Sequence, residues 1–256
     1  MRGVFVAPQE QEIDRMMTTS AAARIAWPAY GDSDDSLARF VPPLLASHLA
    51  VDPAAFEVPR QARVAVLFAD IVGFTRLCEE LPPAEAMELL GGFYRRMART
   101  IAAHGAEIDD YIGDGVMAVW GGVRPAPTDA LRALRCAIAM LEEIERWNGE
   151  GGGRRTPPVH IGIGLHVGEA MIGNSGDARR AKLVVLGDAV NVASRLERST
   201  REHDASLIAS DDFVRAACRG EPANVGLGRC RKSPVSLAVR GRRRPVPAWI
   251  LRRPEA

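Results

Sequence analysis

Two short stretches limit what this chain can fold into more than anything else in it. Phe68-Ala69-Asp70-Ile71-Val72-Gly73-Phe74-Thr75 runs off the end of an apolar strand into a turn. Asp109-Asp110-Tyr111-Ile112-Gly113-Asp114-Gly115-Val116 reads as a second strand, a sharp turn and a third strand. The segment between Asp70 and Asp114 reads as one helix, so a strand-helix-strand unit would bring the two aspartates together. Carboxylates paired at backbone turns are a common way to hold hard divalent cations next to phosphates.

The rest of the chain falls around that unit. Arg63–Ala69 suits a buried strand, and Ala84–Ala103 places Met87, Leu90, Phe93 or Tyr94, Met97 and Ile101 at helical spacing. Ala106–Ile112 and Val116–Trp120 form the hairpin arms. A helix follows Pro127-Thr128-Asp129, with Leu131, Leu134, Ile138, Leu141 and Ile144 inward, and Gly149–Gly153 breaks it. Val159–Val167 and Gly168–Ile172 read as two strands, Gly173–Lys182 as an extended arm, and Leu183–Leu186 as a short strand. A helix from Asp188 to about Arg201 turns Ala189, Val192, Ala193 and Leu196 inward. After it come Leu207–Ala209, a helix at Asp211–Cys218, and strands near Val225–Gly228, Val235–Val239 and Val246–Leu251. Residues 1–60, broken at Pro28, Gly31, Pro42-Pro43, Pro53 and Pro59, read as an extension with a helix over Leu37–Leu49, capped by Ser33 or Asp34. Residues 61–256 form the main domain. Strands and helices in this order predict an α+β fold, a mainly antiparallel sheet flanked by helices.

Composition narrows the function. A net charge of +1 exerts no global pull toward nucleic acid or an anionic membrane. The charge is uneven: Asp32, Asp34 and Asp35 cluster early, and Arg229, Arg231, Lys232, Arg240, Arg242, Arg243 and Arg244 crowd the end. Those arginines are either solvated on edge strands or, in one or two cases, turned toward a polyphosphate. Cys78, Cys136, Cys218 and Cys230 lack metal-knuckle spacing and read as reduced, buried thiols of a cytoplasmic protein. The five histidines form no zinc-ligand pattern, and no apolar run approaches the ~20 residues of a membrane span.

Three groups of residues could do chemistry. Asp70 either caps the following helix or holds a cation, and Ile71–Thr75 presents consecutive backbone N–H groups of the kind that bind phosphate. Asp114 is either a plain turn aspartate or the second cation ligand. Asn191 and Arg195, four apart, share one face of a helix. They form either an exposed polar stripe, salt-bridged to Glu197 or neighbours, or a contact for a ribose and a phosphate. Arg is the side chain that neutralises charge on transferring phosphoryl oxygens.

The three blocks, in this order and at these separations, resemble the catalytic domain of class III nucleotide cyclases, the adenylate and guanylate cyclase family. The resemblance covers about residues 36–251, from Arg39-Phe40-Val41-Pro42-Pro43 through a Gly164–Leu196 block similar to the family's dimerisation arm and following helix. It implies a ferredoxin-like cyclase fold, a nucleoside triphosphate substrate and two divalent cations (Mg2+ or Mn2+) bound by Asp70, Asp114 and the Ile71 carbonyl. It gives Gly73, Phe74 and Thr75 to the phosphates, Asn191 to the ribose, Arg195 to the α-phosphoryl charge, and Arg240 to the outer phosphates. It also implies a homodimer whose two sites are shared between chains.

The chain departs from the family at the base. Adenylate cyclases usually carry Lys four residues before the second metal aspartate, and Asp or Thr three residues before the Gly-Asp turn. This chain has Asp110 and Val184 there. Lys to Asp replaces a donor with an acceptor. Asp110 therefore resembles the Glu of guanylate cyclases, one methylene shorter, and equally suits the uracil N3–H or the cytosine amino group. The combination is similar to pyrimidine cyclases of bacterial anti-phage signalling, which points to UTP or CTP. A guanylate cyclase, an unusual adenylate cyclase and a silent nucleotide-binding homologue are the alternatives.

Overall fold

A computed structural model describes residues 43–52, 55–150, 158–175, 183–218, 234–238, 242 and 244–253. The first described element is helix α1 (Pro43–Val51), opened by Pro43, whose missing N–H is no loss in a first turn. It replaces the expected helix over Leu37–Leu49, of which residues 37–42 lie outside the described set, as do Ser33 and Asp34. Strand β1 (Arg60–Ile71) is longer than expected and carries Asp70 and Ile71 inside it. Helices α2 (Phe74–Glu80) and α3 (Pro83–Ala103) follow, so two helices, not one, separate the aspartates. Pro82 and Pro83 divide them, because proline cannot continue a helix but starts one well.

Strands β2 (Ile108–Ile112) and β3 (Gly115–Trp120) make the expected hairpin, and helix α4 (Asp129–Glu150) crosses back over the sheet. Strand β4 (Ile161–Asn174) is continuous, where two strands were expected. It pairs with β1 without interruption from Arg60↔Ile172 to Ile71↔Ile161, and Gly168 sits in mid-ladder opposite Val64. Then come β5 (Leu183–Leu186), helix α5 (Asp188–Glu202), β6 (Ala205–Ser210), helix α6 (Asp211–Cys218), β7 (Val235–Leu237) and β8 (Val246–Arg252). The strand expected at Val225–Gly228 and most of the arm at Gly173–Lys182 lie outside the described residues.

Among the described residues the sheet order is β2-β3-β1-β4-β6-β8-β7, with β5 paired to β4. Only the β4–β6 pair is parallel. The β1-helix-β2-β3-α4-β4 portion is a ferredoxin-like unit, as expected. Alternation along β1 sorts the core into two layers. Ala65, Leu67, Ala69 and Ile71 pack with Phe93, Met97, Leu134, Met140 and Phe213 of α3, α4 and α6. Val64 and Val66 pack on the other face with Ala189 and Ala193 of α5.

The inward stripe of α3 starts one position earlier than predicted. Ala86 and Leu89 are buried while Met87 is 68% exposed. The α4 stripe keeps the expected Leu134 and Ile144 but also runs through Ala130, Ala133, Ala137 and Met140, leaving Ile138 and Leu141 at the margin. Small alanines let α4 lie close to the sheet, and that overrides a count of the largest apolar residues. The α5 stripe is as predicted. Cys136 is buried and Cys218 half-buried, but Cys78 is exposed on α2, contrary to expectation; Cys230 lies outside the described residues. Among the described residues no helix is long and apolar enough to cross a membrane.

Candidate active site

The β1–β3 ladder ends at Asp70↔Gly115, which sets the Gly113-Asp114-Gly115 turn beside the last residues of β1. The Ile71 N–H donates to the Asp114 carbonyl at 3.4 Å and seals that end. Gly113 takes φ +64°, a left-handed conformation that favours glycine. Gly115 has no room for more: a Cβ there would lie 3.0 Å from the Ala69 carbonyl and 3.5 Å from Asp70 Oδ1. From above, Tyr94 of α3 donates its hydroxyl to the Gly113 carbonyl and meets Tyr111 edge-on, with ring centroids 4.8 Å apart.

Asp70 does not cap a helix. The N-cap position of α2 is Gly73, at φ +72°, and no side chain caps that end. Among the described residues, the N-cap glycine thus leaves the first-turn N–H groups of α2 next to Asp70 without a side-chain cap. Burial, and then contact with the Asp114 carboxylate, push the Asp70 carboxyl up to about 6, against the pull of Arg201. Its Oδ1 is buried with no hydrogen-bond partner. Two abutting carboxylates with an orphaned oxygen fit a divalent cation, which would satisfy the orphan and remove the repulsion. Among the described residues no group of three or more His, Cys, Asp or Glu is placed to hold a metal ion by itself. Two carboxylates would leave the remaining positions for other oxygens, water and phosphate among them, the arrangement Mg2+ favours.

The other Asp70 oxygen meets a residue that the sequence reading missed. Arg201, in the last turn of α5, donates from Nη2 to Asp70 Oδ2 at 2.7 Å and from Nη1 to Glu197 Oε1 at 2.9 Å. The sequence does hold a signal, an i,i+4 Glu-Arg pair on the helix that also carries Asn191 and Arg195. Glu197 is therefore the partner of Arg201, not of Arg195. Helix α5 reaches Asp70 because β4 presents glycines to it. A Cβ on Gly162, the register partner of Asp70, would fall 2.2 Å from Thr200 Oγ1, and one on Gly164 would fall 2.2 Å from the Ala193 carbonyl.

Asn191 is exposed and Arg195 half-buried. They lie up-helix from Arg201 by roughly 15 and 9 Å at 1.5 Å per residue, and Arg195 points about 120° away from it around the axis. The chain thus brings Asp70, Asp114 and the Ile71–Thr75 segment together, and holds Asn191 and Arg195 apart from them. Asp110 and Val184 are each half-buried, on β2 and β5. Ile108, Leu183 and Val185, neighbours of these two, belong to one apolar cluster. Arg240 lies outside the described residues. Arg242 pairs with Asp188 at the start of α5 at 2.9 Å.

Comparison with known proteins identifies the family of this fold. The family described as adenylate and guanylate cyclase catalytic domain matches residues 56–210. An adenylate cyclase of Anabaena cylindrica is 33% identical over 77% of this chain and 39% of its own length. Adenylate cyclase 1 of Rhizobium meliloti is 33% identical over 69% of this chain and 26% of its own. The chain thus spans well under half of these relatives. Among solved structures, the adenylyl cyclase CyaB from P. aeruginosa is similar at a TM-score of 0.63 and 28% identity, covering 77% of this chain and 97% of that one. The guanylyl cyclase Cya2 is similar at 0.65 and 29%, covering 75% and 92%.

Proposed function

The chain belongs to the adenylate and guanylate cyclase catalytic-domain family, and from that membership we propose that it converts a nucleoside triphosphate into a 3′,5′-cyclic nucleotide and pyrophosphate. The observation that supports this most is the buried, unpartnered Asp70 Oδ1 against a second carboxylate, Asp114. In the reaction the ribose 3′ oxygen bonds to the α-phosphorus. The bond from that phosphorus to the bridging oxygen breaks, pyrophosphate takes its electron pair, and the hydroxyl proton passes to water. Divalent cations, Mg2+ or Mn2+, held by Asp70, Asp114 and the Ile71 carbonyl would supply Lewis acidity for the hydroxyl and the phosphates.

This chain's own groups do the rest. The backbone N–H groups of Gly73, Phe74 and Thr75 would bind phosphate oxygens at the open start of α2. Asn191 would orient the ribose. Arg195 would stabilise charge gathering on the α-phosphoryl oxygens in the transition state. The family resemblance gives Arg240 to the outer phosphates. Because Asn191 and Arg195 lie roughly 15 and 9 Å up α5 from the Arg201 that meets their own chain's Asp70, they would serve the Asp70 and Asp114 of a second copy. The working enzyme would then be a homodimer with two shared centres.

Asp110 carries the proposed base preference. A carboxylate accepts from a base N–H and cannot donate, so Asp110 suits the uracil N3–H, the cytosine amino group or the guanine N–H edge and does not reproduce the Lys donor usual in adenylate cyclases; the apolar Val184 adds no polar choice. The same resemblance would place the product in anti-phage signalling. The test is incubation with Mn2+ and each of the four nucleoside triphosphates, followed by chromatography of the products. A cyclic product from UTP or CTP is expected. Product from ATP alone would overturn the base assignment, and none from any of them would favour a silent nucleotide-binding protein.

A further inference from the structure

The two oxygens of Asp70 are treated differently. Oδ2 accepts from Arg201 Nη2 at 2.7 Å, while Oδ1 is buried and accepts from nothing. The other end of the guanidinium is fixed too. Nη1 donates at 2.9 Å to Glu197 Oε1, on a side chain only 6% exposed. Glu197 cannot drift, because its backbone lies where a Cβ on Gly164 would come within 2.3 Å of its nitrogen. A guanidinium is a planar, rigid fork. With one tine on Glu197 and the other on Asp70, it locks the rotation of the Asp70 carboxylate.

We infer that Arg201, anchored by Glu197, is a positioning residue for the cation site: it engages Asp70 Oδ2 and so presents Oδ1, beside Asp114, to a divalent ion. The inference rests on the cyclase reading only in taking Asp70 and Asp114 as cation ligands. Removing Arg201 frees the Asp70 carboxylate to rotate and strands a buried Glu197 without its partner. Groups that orient metal ligands in this way typically change metal affinity by about 10- to 100-fold. If Arg201 were instead a competitor that a cation must displace, its removal would tighten binding.

The experiment is a titration with Mn2+ alone, read from the electron paramagnetic resonance of the free aqua ion and independent of turnover. Arg201→Met is expected to weaken Mn2+ binding by roughly tenfold or more. Arg201→Lys should recover part of the loss, since it restores a charge but not a fork. Glu197→Gln, which loosens the anchor and leaves Asp70 and Arg201 in place, should weaken binding several-fold. That variant decides the matter if Arg201→Met does not fold. Binding by Arg201→Met or Glu197→Gln as tight as wild type, or tighter, overturns the positioning role. Wild type without saturable binding, or binding unchanged by Asp70→Asn, overturns the cation site itself and the positioning role with it.

Discussion

Gly164→Ala tests how α5 is seated, and the structure sets the size of the effect. The new methyl carbon would lie 2.2 Å from the Ala193 carbonyl oxygen, 2.3 Å from the Glu197 nitrogen and 2.8 Å from the Glu197 Cα. Ordinary contact begins at 3.4 Å, so α5 would have to lift by about 1.2 Å. All three obstacles are backbone of one helix, which no rotamer change relieves. Overpacking typically costs about 1–3 kcal/mol, and a rigid obstacle places this substitution near the upper end, at about 3 kcal/mol. At a urea slope of roughly 2–3 kcal/mol per molar, the midpoint should fall by about 1 M. Activity should fall further than stability accounts for, because α5 carries Asn191, Arg195 and Arg201 together. The assay is urea unfolding by circular dichroism, alongside pyrophosphate release under conditions where the variant is still folded. Gly149→Ala is the control: nothing lies within 4 Å of its would-be Cβ, and its stability should be unchanged or slightly raised. A Gly164→Ala midpoint within about 0.2 M of wild type, with full activity, would refute the close seating of α5 on β4.

Mn2+ should raise the melting temperature of wild type by mass action and leave that of Asp70→Asn unmoved, as differential scanning calorimetry would show; an equal shift in both would place the cation elsewhere. His166 is buried, bonded to Ser210 Oγ at 2.7 Å, and burial pulls its imidazole down to about 4 from 6.5. The unfolded chain therefore takes up this proton near pH 6.5 and the folded chain only near pH 4. His166 thus contributes stability in full above pH 6.5 that is lost as the pH falls to 4, about 3 kcal/mol in all. Urea midpoints across that window should fall less steeply in His166→Gln than in wild type, and equal slopes would contradict the assignment. Asp110→Lys restores the donor usual in adenylate cyclases, so turnover of ATP relative to UTP and CTP should rise when all four triphosphates are compared; an unchanged ratio would remove Asp110 from base reading.

Much of the proposed site is local in sequence, and its parts could be read there. Asp70 with Gly73, Asp114 between two glycines, and Asn191 four residues before Arg195 each fall within one short segment. The paired carboxylates and the apolar faces of α5 follow from these spacings. Arg201 could not be read in the same way, since its partner Asp70 is 131 positions away and only the β1–β4 register brings the end of α5 over it. The same strand explains another miss. Gly168 looked like a break between two strands, but it is small because a Cβ there would lie 3.1 Å from the Ala189 side chain. Glycine here marks a helix pressed on a strand, and one sequence does not distinguish that from a turn. The inner faces of α3 and α4 hold the expected Phe93, Met97, Ile101, Leu134 and Ile144, but small residues complete them: Ala86 and Ala133 are buried while the larger Met87 is left outside.

If Asp70 and Asp114 of one chain work with Asn191 and Arg195 of another, mixing two inactive variants restores a centre that neither has alone. Asp70→Ala should be inactive yet still dimeric, and Arg195→Ala should be inactive as well. In an equal mixture with free exchange, half of the dimers pair the two variants, and each of these has one intact centre. Pyrophosphate release should therefore return to about a quarter of the wild-type rate. A mixture no more active than its components, or an active Asp70→Ala alone, would contradict the shared centre.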